Sequence, residues 1–193
     1  MAKVYETIDG RLRGFLLAQP VYFVATAPSG SDGFVNLSPK GGTGTFTVLD
    51  GLRVAYLDYT GSGIETIANL RENGRIVLMF CAFSGPPKIV RLHGRGIPVL
   101  PGHDGFDALV GAFPKPPQPG LRSVIVVDVQ RVSDSCGYAV PLMDYVGDRD
   151  LLFQFHGRRS ADELAQYHAT RNATSLNGLP GLAGVEAAVR SPG

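Results

Sequence analysis

Between Arg53 and Arg95 the hydrophobic pattern changes period three times, and the rest of the chain is arranged around that stretch. Val54–Tyr59 is a β-branched and aromatic run that predicts a strand. Thr60-Gly61-Ser62-Gly63 interrupts it, and the two glycines allow a sharp turn and a close backbone approach. From there Ile64, Ile67, Ala68 and Leu70 recur on roughly one face of a helix. Ser62 followed by Glu65 fits a capping box, with Ser62 as N-cap and Glu65 reaching back. Asn73-Gly74 is the expected stop. Arg75–Phe83 is apolar in both alternating sets, which predicts a strand buried on both faces. After a turn at Gly85-Pro86-Pro87, Lys88–Val99 alternates again. Arg91, His93 and Arg95 then share one face, with successive Cβ atoms about 6.6 Å apart. Lys88, Val90 and Leu92 share the other.

The flanking sequence adds strands before this block and one strand with a helical cover after it. Gly10–Gln19 reads as a short amphipathic helix ended by Pro20. Val21–Ala27 and Phe34–Leu37 read as a hairpin around the Pro28–Gly33 turn. Alternation in the second of these puts Asn36 and Ser38 on one face, with Lys40 continuing it. Thr45–Leu49 is a further strand, and Asp50-Gly51 signals a tight turn into Val54. Asp104–Ala112 predicts a short helix with Phe106, Leu109 and Val110 inward. Phe113–Gly120 is a proline-rich link inside the domain, because the strongest β signal, Leu121–Val132, follows at once. Ser133–Asp150 has no period, which suits a functional loop or a cover. Ser160–Arg171 is a helix with Ser160 as N-cap and Glu163 at its third position. The tail Asn172–Gly193 is expected to fray or to wrap a partner.

Composition narrows the class. With 193 residues, 44% hydrophobic and 18% charged, the chain is expected to form one domain, its core over about 19–132 and a cover over 133–193. A formal net charge of +1 makes no electrostatic case for nucleic acid or an acidic membrane surface. No apolar run is long enough to span a bilayer, and MAKVYETIDG lacks the apolar stretch of a signal peptide. The two cysteines, Cys81 and Cys136, show no pairing or metal spacing. A reducing, cytoplasmic setting is expected. The 25 glycines and 14 prolines fit the many turns of a barrel or sandwich.

The candidate chemistry is anion binding. Free N–H groups at a helix start, with the hydroxyls of Thr60, Ser62 and Thr66, suit a phosphate. A capped helix with nothing bound explains the same residues, and Glu65 already answers the helix dipole. Asn36, Ser38 and Lys40, ahead of Gly41-Gly42, suit a phosphate pocket, or an edge strand ended by a polar turn at Pro39. Arg91, His93 and Arg95 are a solvated outer face or ligands for an anionic cofactor. The four histidines show no metal spacing. No P-loop, GxGxxG on a βα unit, HExxH or serine-hydrolase set can be named. No residue stands out as a general acid or base. Cys136 and Tyr138 in the irregular loop are expected to plug the barrel end rather than to line a substrate site.

The strand order with VNLSPKGG, then YLDYTGSGIETIANLRENGRIVLMF, then PPKIVRLHGRG, resembles the pyridoxamine 5′-phosphate oxidase-like family of FMN-binding split barrels. The resemblance runs from about Gln19 to about Leu182. SCGYAVPLMDY and RNATSLNGLPGL look like features of a bacterial branch. The resemblance implies a mainly β fold, a six-stranded antiparallel split β-barrel with short flanking helices. It also implies a homodimer with FMN at the subunit interface. Carried over position by position, it places Lys40 at the family's strand lysine. The matching arginine is replaced by an apolar residue near Phe34 or Val35. The family's Ser-Arg-Lys run is replaced by Ser62-Gly63-Ile64-Glu65-Thr66. The arginine-rich ending of the true oxidases does not appear in VRSPG.

The resemblance therefore implies flavin binding without vitamin B6 oxidation. The expected cofactor residues are Asn36, Ser38, Lys40, Thr60, Ser62, Thr66 and Arg91. Three functions follow from it: an FMN-dependent oxidoreductase on a small molecule, a flavin-binding protein without turnover, or the same barrel holding a deazaflavin or haem. His93 is the one histidine on an expected barrel strand, and so the one that could ligate iron there.

Overall fold

The computed structural model describes residues 3–183. Eight strands are present: β1 (Lys3–Tyr5), β2 (Val21–Thr26), β3 (Asn36–Gly41), β4 (Phe46–Asp50), β5 (Arg53–Tyr59), β6 (Arg75–Cys81), β7 (Ile89–Val99) and β8 (Leu121–Ser135). Five helices accompany them: α1 (Gly10–Leu17), α2 (Glu65–Asn73), α3 (Phe106–Gly111), α4 (Leu151–Gly157) and α5 (Ala161–Arg171). All strand pairs are antiparallel, in the order β3-β2-β6-β7-β8-β5-β4, with β1 added along β8. This is the expected mainly β architecture, a curled sheet of split-barrel type. It carries two strands more than the six implied by the resemblance.

The curl exists because one face of each strand is apolar. Tyr22, Val24, Phe46, Val54, Tyr56, Leu78, Phe80, Leu92, Ile125 and Val127 fill its inside. Rings of Tyr22 and Phe80 stack there at 5.1 Å. Leu12 and Leu16 of α1, and Ile64, Ile67 and Leu70 at α2, complete the same core. Burying each such aliphatic side chain is worth about 1.5–3 kcal/mol. A second, smaller cluster lies outside the curl, where Phe113 and half-buried Phe106, Leu109 and Val110 of α3 pack on Ala55, Leu57 and Val124.

Several expectations hold in detail. The β2–β3 hairpin forms with Thr26 opposite Asn36 and Tyr22 opposite Lys40, although its second strand runs over Asn36–Gly41 and not Phe34–Leu37, and β3 is an edge strand carrying Pro39. Gly74 ends α2 in the left-handed conformation, φ 69°, with its N–H donated to the Leu70 carbonyl at 3.0 Å. Ser160 and Glu163 form a complete capping box at α5.

Other expectations are corrected. The helix after Thr60 does not start at Ser62, and no capping box forms there. It starts at Glu65 behind Ile64, which makes no side-chain cap. The reason is tertiary. The Gly63 carbonyl is taken by Arg122 at 3.0 Å and the Gly61 carbonyl by Asn172 at 2.9 Å, so neither is free for a helical turn and the loop stays non-helical. Glu65 instead accepts from the Leu176 N–H at 3.3 Å. In β6, Ile76, Leu78 and Phe80 are buried, but Val77 and Met79 are only half-buried, because the outer face of the sheet is incompletely covered there. The stretch 151–159, for which the sequence predicts no element, contains α4. The tail does not fray over its described part: residues 172–182 fold into a compact turn through bonds such as Leu182 N–H to Asn172 O at 2.8 Å. Residues 184–193, the rest of that tail, lie outside the described residues. Cys136 and Tyr138 are exposed, and Tyr138 is 84% so. They plug nothing, since the chain leaves the barrel after β8. No helix among the described residues is long and apolar enough to cross a membrane.

Candidate functional site

Edge strand β3 approaches β5, the strand next to the sheet's other edge, and the seam is tied by ions. Asp58 of β5 sits on the inward face of an otherwise apolar strand and is fully buried. Its carboxylate accepts from Lys40 Nζ at 3.0 Å, Arg122 Nε at 2.9 Å and Ser123 Oγ at 3.2 Å. Burial would push this carboxyl up, but Lys40 and Arg122 together hold it below its usual value. Two cations share one anion, so the cluster keeps an excess of one positive charge. Arg122 is almost wholly enclosed, whereas the Lys40 side chain is 22% exposed.

Lys40 opens onto a cavity of about 880 Å³. Val21, Phe23 and Pro39 of the β2–β3 edge form one wall. Leu57, Tyr59 and Thr60 at the end of β5 form a second, and the segment Met143–Phe153 closes the third side. That segment is pinned by Met143 N–H to Phe83 O at 2.9 Å and by Asp148, which accepts from the Thr43 N–H at 2.9 Å. Phe153 meets Tyr59 edge to face at 4.9 Å.

The residues singled out in the sequence fall into three places. Lys40 and Thr60 line the cavity. Asn36, Ser38 and Thr66 form one network below α2: Asn36 Nδ2 donates to Thr66 Oγ1 at 3.1 Å and to Thr26 Oγ1 at 3.3 Å, and Ser38 Oγ donates to Asn36 Oδ1 at 3.2 Å. Asn69 joins it through Thr26 at 3.0 Å, and its buried Oδ1 has no partner. Ser62 and Arg91 stand apart. Ser62 is exposed in the loop, and Arg91 lies on the outward face of β7, bonded to Ser135 Oγ at 3.0 Å. His93 is exposed on that same outward face, so it is not directed into the barrel. The Thr60 hydroxyl is enclosed and lies 2.8 Å from His168 Nε2. Among the described residues no cluster suits a metal ion.

Asp58, Arg122, Asn172, His156 and His168 were not found from the sequence. A signal existed for the first two. Each is a charged residue inside an apolar strand pattern, VAYLDY and LRSVIVVDV: Asp58 lies two positions from buried Tyr56 and Thr60, and Arg122 two positions from buried Val124. An isolated charge at such a position needs a buried partner.

Comparison with known proteins follows the same outline. A protein of Aspergillus flavus described as "Pyridoxamine 5'-phosphate oxidase family protein ustO" is 38% identical over 192 residues, covering 92% of this chain and 77% of that one. It is fungal, so it lends no support to placement in a bacterial branch. Among solved structures, a point variant of HupZ from Group A Streptococcus aligns with a TM-score of 0.52 at 20% identity, over 66% of this chain and 99% of that one. A protein of Mesorhizobium loti described as FAD-binding aligns with a TM-score of 0.48 at 16% identity, over 69% and 96% of the two chains. At 20% identity the likeness to HupZ is one of fold. The match to the family described as "Pyridoxamine 5'-phosphate oxidase" spans residues 8–136, the curled sheet with both partners of the Lys40–Asp58 seam, and the chain belongs to that family.

Proposed function

We propose that this chain binds a flavin, FMN first, at the Lys40 seam and acts as an oxidoreductase on a small molecule. Lys40 carries the reading. Its ammonium has three N–H donors, has Asp58 as its hydrogen-bond partner, and lies at the edge of a largely aromatic and aliphatic cavity. A volume of about 880 Å³ is within the range of small-molecule and cofactor sites. The residues present fit a flavin ring, which is flat, apolar on its faces and rich in acceptors along one edge. Phe23, Tyr59 and Phe153 offer faces, and Lys40 offers a donor and positive charge. Ser38 and Asn36 share the Lys40 face of β3 but bond to each other, Thr26 and Thr66 away from the cavity lining.

A bound flavin would supply the hydride or electron transfer. The chain's own part is position, charge and dryness. Asp58 and Arg122 fix where Lys40 stands. Lys40 can then donate to an acceptor and offset negative charge held beside it. The Met143–Phe153 segment and the aromatic walls would shield a bound ring from part of the solvent. We read the assembly as a homodimer with the cofactor at its interface, as the family likeness implies. Exposed Phe34, Val35 and Leu37 on and beside the free β3 edge suit a covering second copy. Both cysteines are free, which suits a reducing compartment, and we read the location as the cytoplasm.

The test is a fluorescence titration of the purified chain with FMN, FAD and a deazaflavin, preceded by an absorbance spectrum. FMN should bind, and Lys40→Met should weaken it about tenfold to a hundredfold, the worth of a hydrogen bond from a charged donor. Lys40→Met leaves Arg122 on Asp58, so the fold should persist. A folded chain that quenches none of the flavins, or an affinity unchanged in Lys40→Met, would sink the reading. A Soret band would turn it to haem.

A further inference from the structure

Two helices of the C-terminal cover converge on one residue of the cavity wall. His156 of α4 donates from Nε2 to the Thr60 carbonyl at 2.7 Å. His168 of α5 places Nε2 2.8 Å from Thr60 Oγ1. The Thr60 N–H is itself donated to Gly120 O at 2.8 Å. Donation to a carbonyl requires an N–H, so the His156 proton resides on Nε2, and its buried Nδ1 has no partner. The ring of His156 packs on Gly120, where a Cβ would come within 2.6 Å of it. These contacts hold more than two helices. α4 delivers Leu152 and Phe153 to the cavity, so that part of the third wall rests on the seat of α4 at Thr60.

We propose that His156 and His168 are positioning residues that latch α4 and α5 onto Thr60, and that proton uptake at His168 releases the latch and opens the cavity. The groups facing His168 are Arg122 of β8 and His156 of α4, and the carboxylate behind Arg122, Asp58, is already shared with Lys40. A charged His168 ring would therefore meet a guanidinium and no free carboxylate. Burial, then Arg122 and His156, hold its pKa below the ordinary 6.5. With a lowered value in the latched state, the latch is at full strength above 6.5. It weakens as pH falls below that and through the lower latched value. The opening equilibrium should rise by up to about tenfold per pH unit in that window for this one proton.

Hydrogen exchange of the full chain, read by mass spectrometry without ligand at about pH 7.5 and about pH 5.5 and corrected for intrinsic rates, tests this. In the wild type, amides of 151–171 should lose protection in acid while those of β5–β8 keep theirs. His168→Gln keeps a neutral hydrogen-bonding group near Nε2. It should keep the protection at the higher pH and lose the pH dependence. His168→Ala should be poorly protected at both. Equal wild-type protection of 151–171 at the two pH values would overturn the latch, as would an unaltered pH dependence in His168→Gln. One further arm rests on the flavin reading. FMN affinity should fall in acid for the wild type and not for His168→Gln. If FMN binds at neither pH, that reading fails, while the exchange result still decides the latch.

Discussion

Asp58→Ala should lower the unfolding free energy by about 3–5 kcal/mol, the cost of leaving a buried partner charge uncompensated. Asp58 is fully enclosed and is the carboxylate that answers both Lys40 and Arg122. Lys40 can turn toward the cavity and water. Arg122 cannot, since it is 5% exposed and its remaining bonds go to Gly63 O and Asn172 Oδ1. The loss therefore falls on the guanidinium and on the seam between β3 and β5. Denaturant unfolding followed by circular dichroism gives the number. Arg53→Ala removes the exposed pair with Asp50 and should leave the midpoint unmoved. A similar midpoint for Asp58→Ala and the wild type would mean that the seam does not depend on the carboxylate.

The same residue sets an acid limb. Burial acts to raise the Asp58 carboxyl, and the two cations acting together lower it below 3.8 on balance. Its stabilisation is therefore complete above 3.8. It disappears as pH falls below that value and through the folded one. The gap in stability between wild type and Asp58→Ala should narrow over this acid range and stay constant above it.

Gly120→Ala is expected to be the second large effect, roughly 2–5 kcal/mol, and to act on the cover. Gly120 has φ +87°, a left-handed conformation that costs other residues about 1–2 kcal/mol. The added methyl would also stand 2.6 Å from the His156 ring and 2.8 Å from its Cβ, an overpacking that costs about 1–3 kcal/mol. The ring has no room to retreat without leaving the Thr60 carbonyl. The variant should thus lower the unfolding midpoint and speed proteolytic cleavage within 138–159, ahead of any cleavage in the sheet. Unchanged proteolysis would show that α4 does not depend on the His156 seat.

Much of the site escaped the sequence for the reason these two residues illustrate. Asp58 and Arg122 are 64 positions apart, Thr60 and His156 are 96 apart, and Thr60 and His168 are 108 apart. Each looks ordinary in its own segment. Lys40 was found because a lysine ahead of Gly41-Gly42 is locally unusual, and because the family likeness points to it. Its partner was not, since nothing near either residue encodes the approach of β3 to β5. Asn36, Ser38 and Thr66 were named as cofactor residues. They bond mainly to one another, because the register of β2 with β3 sets Asn36 beside Thr26 and α2 lowers Thr66 onto Asn36. Arg91 was grouped with them by charge, yet it belongs to the outer face of β7.

The sequence by itself determined the elements that neighbours can decide. β-branched and aromatic runs specify Val54–Tyr59 and Leu121–Val132 as strands, Gly74 stops α2, and Ser160 with Glu163 starts α5. Each depends on residues within about four positions, where sterics and local hydrogen bonds act. The tertiary structure alone decided where α2 begins, which cation meets Asp58, and which histidines hold Thr60. Those outcomes follow from sheet register and from the carbonyls of Gly61 and Gly63, taken by Asn172 and Arg122. Such contacts join segments tens of residues apart, and the local pattern of neither segment carries the other's position.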